Sequence, residues 1–335
     1  MTRSDVLALA IRRFLTDYLA QQRAFSSHTI FSYRDSLKLL LQFAAGRKRR
    51  VADITVADLT PARIIAFLDH LEQNRHNNPA TRNVRLSAIH SFFDYLGAGW
   101  PEHLDQARRG LAIQFKRTVH RTIDYLDAEE VRTILNQINR RTISGRRDYV
   151  LLALMFNTGA RVQEAVALQT TDLRLTAPCS VKFLGKGRKE RICPLWPETG
   201  RLLQQHITDT AIDPNHPQAL FQNNRGTPLT RFGARLILRR HVERAAQNLP
   251  ALKRKRIHPH SLRHSTAVYL LKSGVDLSTI AHWLGHNSIN TTHKYLAIDL
   301  EAKRAAIERA EPITKSTKPP RWRIDGDLLA WLESL

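Results

Sequence analysis

The residues most able to do chemistry are bunched between His258 and His293, where six of the 15 histidines fall. The segment HWLGHNSINTTHKYL (282–296) alone holds three histidines, two adjacent threonines and a tyrosine nine residues after the middle histidine. A metal site is one chemistry such residues could support, since His282 and His286 are four apart, as in a helical ligand pair. Against it, no H-E-x-x-H occurs, no cysteine or clustered carboxylate completes a ligand set, and Gly285 should end the helix just before His286. No metal is expected.

Phosphate is the other chemistry. NTGARVQEAVAL sets Arg161 just after a glycine break at the start of a helix, where its fork can address an anion beside free backbone N–H groups. The plain alternative is a surface arginine paired with Glu164 one turn on. PHSLRH opens another helix and puts His260 and Arg263 three apart on one face. GKGRKER puts Lys186 at a hairpin tip, able to reach into a groove. In one unbroken helix, the nine residues from His286 to Tyr295 would turn about 180° and rise roughly 14 Å, onto opposite faces. A shared site therefore requires a break, and GHNSIN supplies turn-forming residues for one, with Ser288 or Asn290 able to cap the next helix. Each signal alone has an ordinary reading: a solvated helix edge, a basic hairpin, a half-buried tyrosine. Their order and spacing together argue for more.

The elements that must position these residues divide into two regions. The first hundred or so residues read as four or five short amphipathic helices: SDVLALAIRRFLTDYLAQQ with Ser4 as cap, SSHTIFSYRDSLKLLLQFAAG, TPARIIAFLDHLEQN with Pro61 at its first position, and NPATRNVRLSAIHSFFDYLG closed by Gly97. A basic stretch, residues 112–126, lacks helical periodicity and reads as a linker. A second domain opens at Asp127, with a buried helix stopped by Gly159 and a β-hairpin in SVKFLGKGRKERICPL. FQNNRGTPLT adds a further short strand, and helices resume with RFGARLILRRHVERAAQ, PHSLRHSTAVYLLKSG, DLSTIAHWLG and DLEAKRAAIERA. The fold class is thus mainly α with a small β-sheet. After a polar EPITKSTKPP, the segment DGDLLAWLESL reads as a short amphipathic docking helix.

The chain's 335 residues suffice for two domains with sizeable cores. Lys and Arg number 52 against 30 Asp and Glu, a formal charge of +22, which attracts polyanions and makes nucleic acid the leading partner. An anionic membrane surface is disfavoured because no isolated basic amphipathic anchor occurs, and the longest apolar run, near VLLALMF, is too short to cross a bilayer. Two cysteines without a C-x-x-C, and an N-terminus unlike a signal peptide, point to a soluble cytoplasmic protein.

Taken jointly, NTGARVQE, GKGRKER, PHSLRH and LGHNSINTTHKY resemble the tyrosine recombinases of the phage integrase family, and most of all their Xer-type bacterial branch. The resemblance runs from the N-terminal helices to about residue 310. It implies a helical, SAM-like core-binding domain (1–111), a linker (112–126), a mixed catalytic domain (127–310) and a C-terminal tail (311–335), with the two domains closing as a C-shaped clamp on double-stranded DNA. By position, Arg161 and Arg263 match the family's catalytic arginines and Lys186 its hairpin lysine. His260 and His286 match its two histidines, Tyr295 its nucleophile, and Glu164 its supporting acid. The implied reaction goes through a 3′-phosphotyrosyl intermediate and needs no cofactor; consistently, no G-x-x-x-x-G-K-[ST] occurs.

The expected assembly is a homo- or hetero-tetramer on paired recombination sites, with the tail docking on a neighbouring subunit, in a nucleoid-associated bacterial setting. Thr29, Arg34, Arg82 and Arg85, near helix N-termini of the first domain, are offered as DNA contacts. The tail is longer than a minimal Xer-type ending. The rival readings are a type IB-like topoisomerase with the same nucleophile, a non-catalytic DNA-binding protein, and a metal-dependent phosphohydrolase built on the histidines.

Overall fold

The computed structural model describes residues 3–118, 124–185, 189–210, 212–213 and 216–285. The chain divides into two compact units, Met1–Arg121 and Thr122–Leu335. It is mostly helical with one small antiparallel sheet among the described residues, in line with the sequence-based class.

The first unit holds α1 (Arg3–Arg13), α2 (Ser27–Ala45), α3 (Pro61–Gln73), α4 (Pro79–Gly99) and α5 (Leu104–Leu111). Helix α1 runs on as a π-helical segment, Phe14–Gln22, whose wider turn carries the fully buried Phe14 and Leu19. The backbone is already helical at Arg3, so Ser4 lies inside α1 and is not its cap. Ser26, Thr60 and Asn78 cap α2, α3 and α4 by accepting the N–H of Thr29, Arg63 and Thr81. Proline follows at the first position of α3 and α4, where the missing N–H costs nothing.

Gly97 does not close α4, which continues to Gly99. A Cβ on Gly97 would lie 3.1 Å from that of Ala107, so the glycine serves the close approach of α5. Phe14, Leu40, Phe67, Phe92 and Phe93 form the middle of this unit's core. Residues 112–118 carry no helix or strand.

The second unit opens with α6 (Ala128–Asn136), where Asp127 and Glu130 form a reciprocal capping box. Then come α7 (Ile143–Thr158), α8 (Val162–Val166), β1 (Leu173–Arg174), β2 (Ser180–Leu184), β3 (Glu190–Pro194), α9 (Pro197–Asp209), α10 (Arg231–Asn248), α11 (Pro259–Lys272) and α12 (Leu277–Leu284). The strands pair antiparallel in the order β1-β2-β3, with Val181 opposite Cys193 and Lys182 opposite Ile192. The two-residue period turns Val181, Phe183 and Cys193 into the core. Residues 186–188 lie outside the described set.

Two further elements, in the second unit, differ from the sequence-based expectation. FQNNRGTPLT forms no strand; it is a tight loop with a single bridge from Gln222 to Pro228, closed by the Asn223 N–H on the Thr227 carbonyl. Helix α9 follows β3 directly, with Pro197 at its first position and Leu203 and Ile207 buried. Among the described residues no helix is long and apolar enough to cross a membrane.

Candidate active site

The C-termini of α7 and α12 meet, and both stop at a glycine in the left-handed region: Gly159 at φ 59° and Gly285 at φ 64°. The meeting is close. A Cβ on Gly159 would fall 2.4 Å from Leu284 Cδ2. A helix end leaves carbonyl oxygens without helical partners and gathers partial negative charge. Here three arginines from three different elements address three consecutive carbonyls.

Arg191 on β3 donates Nε to the Trp283 oxygen at 3.2 Å. Arg263 on α11 donates Nη2 to the Leu284 oxygen at 2.5 Å, and Nη1 to the Gly159 oxygen at 2.7 Å. Arg161, preceding α8, donates Nη2 to the Gly285 oxygen at 3.4 Å. Arg161 and Arg263, expected from sequence to act together, are thus gathered at one junction, directly before residue 286. They differ in access: Arg263 is 2% exposed, whereas the Arg161 side chain is 35% exposed.

Glu164 knits the group. Its Oε1 accepts Arg161 Nη1 at 2.8 Å, and its Oε2 accepts both the Arg161 backbone N–H at 2.9 Å and Arg191 Nη2 at 2.7 Å. The N–H that the sequence left open for an anion is therefore taken by this carboxylate. Burial opposes the ionisation of Glu164, but hydrogen bonds and charge from Arg191, joined by the donors of Arg161, outweigh it and hold the carboxyl below its ordinary pKa.

His260 is exposed in the first turn of α11, its ring 6.1 Å from that of His264 and 6.4 Å from that of His258. Burial, with Arg235 nearby, lowers the pKa of His258 despite Asp124. Helix α11 is fixed to α7 by the Thr266 hydroxyl, which donates to the Phe156 carbonyl at 2.6 Å. Lys186, His286 and Tyr295 lie outside the described residues, as do the expected helix DLEAKRAAIERA and the tail. No group of three or more metal-ligating side chains occurs among the described residues.

The residues offered as DNA contacts in the first unit take different positions. Arg34 is exposed, paired with Asp35 at 2.8 Å and lying over Phe31. Thr29 shares a 3.0 Å hydroxyl hydrogen bond with Ser26 in the α2 cap. Arg82 is 4% exposed and donates to Asn83. Arg85 ties α4 to α2 through the Ser36 hydroxyl at 3.0 Å and the Ser32 carbonyl. Arg191 was missed from sequence; its place two residues into the second arm of the hairpin was the available signal.

Comparison with known proteins agrees with this layout. Residues 124–301 match the phage integrase family, and residues 11–98 match the phage integrase N-terminal SAM-like domain. A putative integrase/recombinase, y4rC of Sinorhizobium fredii, is 39% identical over the full length of both chains. Tyrosine recombinase XerC of Staphylococcus saprophyticus is 30% identical, covering 89% of this chain and 95% of its own.

Among solved structures, the XerH recombinase bound to palindromic difH superposes with a TM-score of 0.64 at 23% identity, over 85% of this chain and 80% of that one. The Tn1549 transposon integrase in complex with transposon right-end DNA gives 0.67 at 17% identity, over 93% and 100%. At these identities the structures speak to the fold. The chain belongs to the phage integrase family, the tyrosine recombinases, which cleave and rejoin DNA strands.

Proposed function

We propose that the chain is a site-specific DNA recombinase in which Tyr295 attacks a scissile phosphate, forming a 3′-phosphotyrosyl bond and releasing a 5′-hydroxyl. Attack by a partner strand's 5′-hydroxyl on that bond then frees the tyrosine and joins the new strands. The phosphodiester is conserved in the covalent link, so the cycle requires no nucleotide hydrolysis. The observation that carries the reading is the convergence of Arg161 and Arg263 on the carbonyl end of α12, directly before residue 286, with Glu164 holding Arg161.

Arg161 and Arg263 supply donors for the non-bridging oxygens as negative charge builds in the transition state; one preorganised donor of this kind is worth about 3–4 kcal/mol. His286 adds a further donor. Lys186 protonates the departing 5′-oxygen, and His260 assists proton transfer at the tyrosine. A phenol with an ordinary pKa near 10 needs such a cationic surround to react at neutral pH.

In this reading residues 1–111 bind the DNA core, 112–126 link, and 127–310 carry out the chemistry. Thr29, Arg34 and Arg85 serve the DNA face of the first domain; Arg82, only 4% exposed, is too buried to be one of its contacts. Paired duplex sites are held by a tetramer, and the 311–335 tail docks on a neighbouring subunit. The setting is the nucleoid of a bacterial cell, on mobile-element DNA. The basic balance of the chain, at +22, supports a polyanionic partner.

Nicked suicide DNA, from which the 5′ fragment diffuses away, tests the reading. Wild-type protein is expected to accumulate a covalent adduct, and Tyr295→Phe to bind the same DNA without one. An adduct formed by the Phe variant would refute the assignment of the nucleophile. Sequencing the joined ends would identify the target.

A further inference from the structure

Arg191 is the last residue of GKGRKER and was given no role there, yet it touches both Glu164 and the carbonyl end of α12. Its side chain is 12% exposed, and its guanidinium lies 4.7 Å over the Phe183 ring. One arm meets Glu164 Oε2 and the other the Trp283 carbonyl. Its Cδ and Nη1 also bound the space at Gly285, where an added Cβ would fall 3.0 and 3.3 Å from them. Arg161 and Arg191 share one carboxylate, so two guanidinium groups and one Glu164 leave a single net positive charge. Without Arg191 the carboxylate would cancel Arg161 outright.

We propose that Arg191 is a positioning residue of the strand-transfer centre, an inference that rests on the reading above. It takes up the Glu164 carboxylate so that the charge of Arg161 stays available to a DNA phosphate, and it holds the carbonyl end of α12 that leads into residue 286. Glu164 then orients Arg161 through two hydrogen bonds without neutralising it.

The test is single-turnover cleavage of nicked suicide DNA by the full chain at saturating DNA, with the dissociation constant measured alongside. Arg191→Gln is expected to slow cleavage by about tenfold or more while changing DNA affinity by less than about threefold, since the lost charge acts on the developing transition state. Adding Glu164→Gln to that variant restores the net charge and should recover most of the rate. A side chain needed only for packing would show no such recovery.

Arg191→Gln cleaving at the wild-type rate, or a folded double variant as slow as the single one, overturns the proposal. Should Arg191→Gln not fold, Arg191→Lys decides. It keeps the charge without the fork, so a rate within about fivefold of wild type upholds the proposal and a larger loss in folded protein overturns it. Failure of the wild-type protein to form an adduct on this DNA would overturn the recombinase reading and this inference together. Loss without recovery overturns this inference alone.

Discussion

Two of the buried carboxylates in the second unit, Asp148 and Glu164, are each shared among several cationic side chains. Asp148 on α7 is the clearest case: fully buried, it accepts from Arg147 at 2.7 and 3.0 Å, from Arg240 at 2.5 Å and from His241 at 3.1 Å. Burial opposes its ionisation, but hydrogen bonds from His241 and Arg147 and the charges of Arg147 and Arg240 prevail and lower its pKa. A carboxyl whose pKa is lowered by folding adds stability at pH values above its unfolded value, near 4, and loses it as the pH falls through the lowered folded value. Asp148→Asn should therefore destabilise the protein by about 3–5 kcal/mol at neutral pH, because it strands cations in the interior. Urea unfolding at pH 7 and at about pH 2, well below the unfolded value, checks both halves. A difference from wild type that stays constant between these pH values would contradict the ionic account. The same logic at Glu164 was half visible in the sequence. Its pairing with Arg161 follows from helical spacing, whereas its second partner arrives from a strand 27 residues away.

At the scale of elements, the site depends on how two helix ends are brought together. Gly159 combines a left-handed φ with a neighbour that leaves no room for a Cβ, so it serves both the stop of α7 and the seat of α12. Gly159→Ala meets both costs, about 1–2 kcal/mol for the backbone conformation and roughly 1–3 for overpacking against Leu284. Its unfolding midpoint in urea should fall accordingly. Truncating the obstructing side chain, in Gly159→Ala/Leu284→Ala, should yield less than the sum of the two single losses. Strict additivity would show that the two residues are not coupled through this contact. The stops at Gly159 and Gly285 were legible because glycine after a run of helical apolar spacing is a local signal. The π-helical turn at Phe14–Gln22, the two-residue strand β1 and the true end of α4 were not, since each departs from the local pattern that the residues themselves suggest.

For the molecule as a whole, the +22 charge makes a statement about DNA that needs no particular contact residue. If about six phosphates are neutralised, affinity for duplex DNA should fall roughly a thousandfold between about 50 and 200 mM salt. Fluorescence anisotropy of a labelled duplex reads this directly, and an affinity nearly independent of salt would rule out a phosphate-dominated interface. Composition and motif order by themselves determined the class of partner, the mainly helical class with its hairpin, and the positions that mark the family, because charge, periodicity and short-range spacing are local properties of the chain. Only the tertiary structure decided that Arg161, Arg191 and Arg263 read three successive carbonyls of one helix end, and that Glu164 is shared between two of them. Those contacts join α7, β3, α11 and α12 across as many as 124 residues of sequence. No local pattern encodes such a meeting; it is set by how the packed core seats the helices against the sheet.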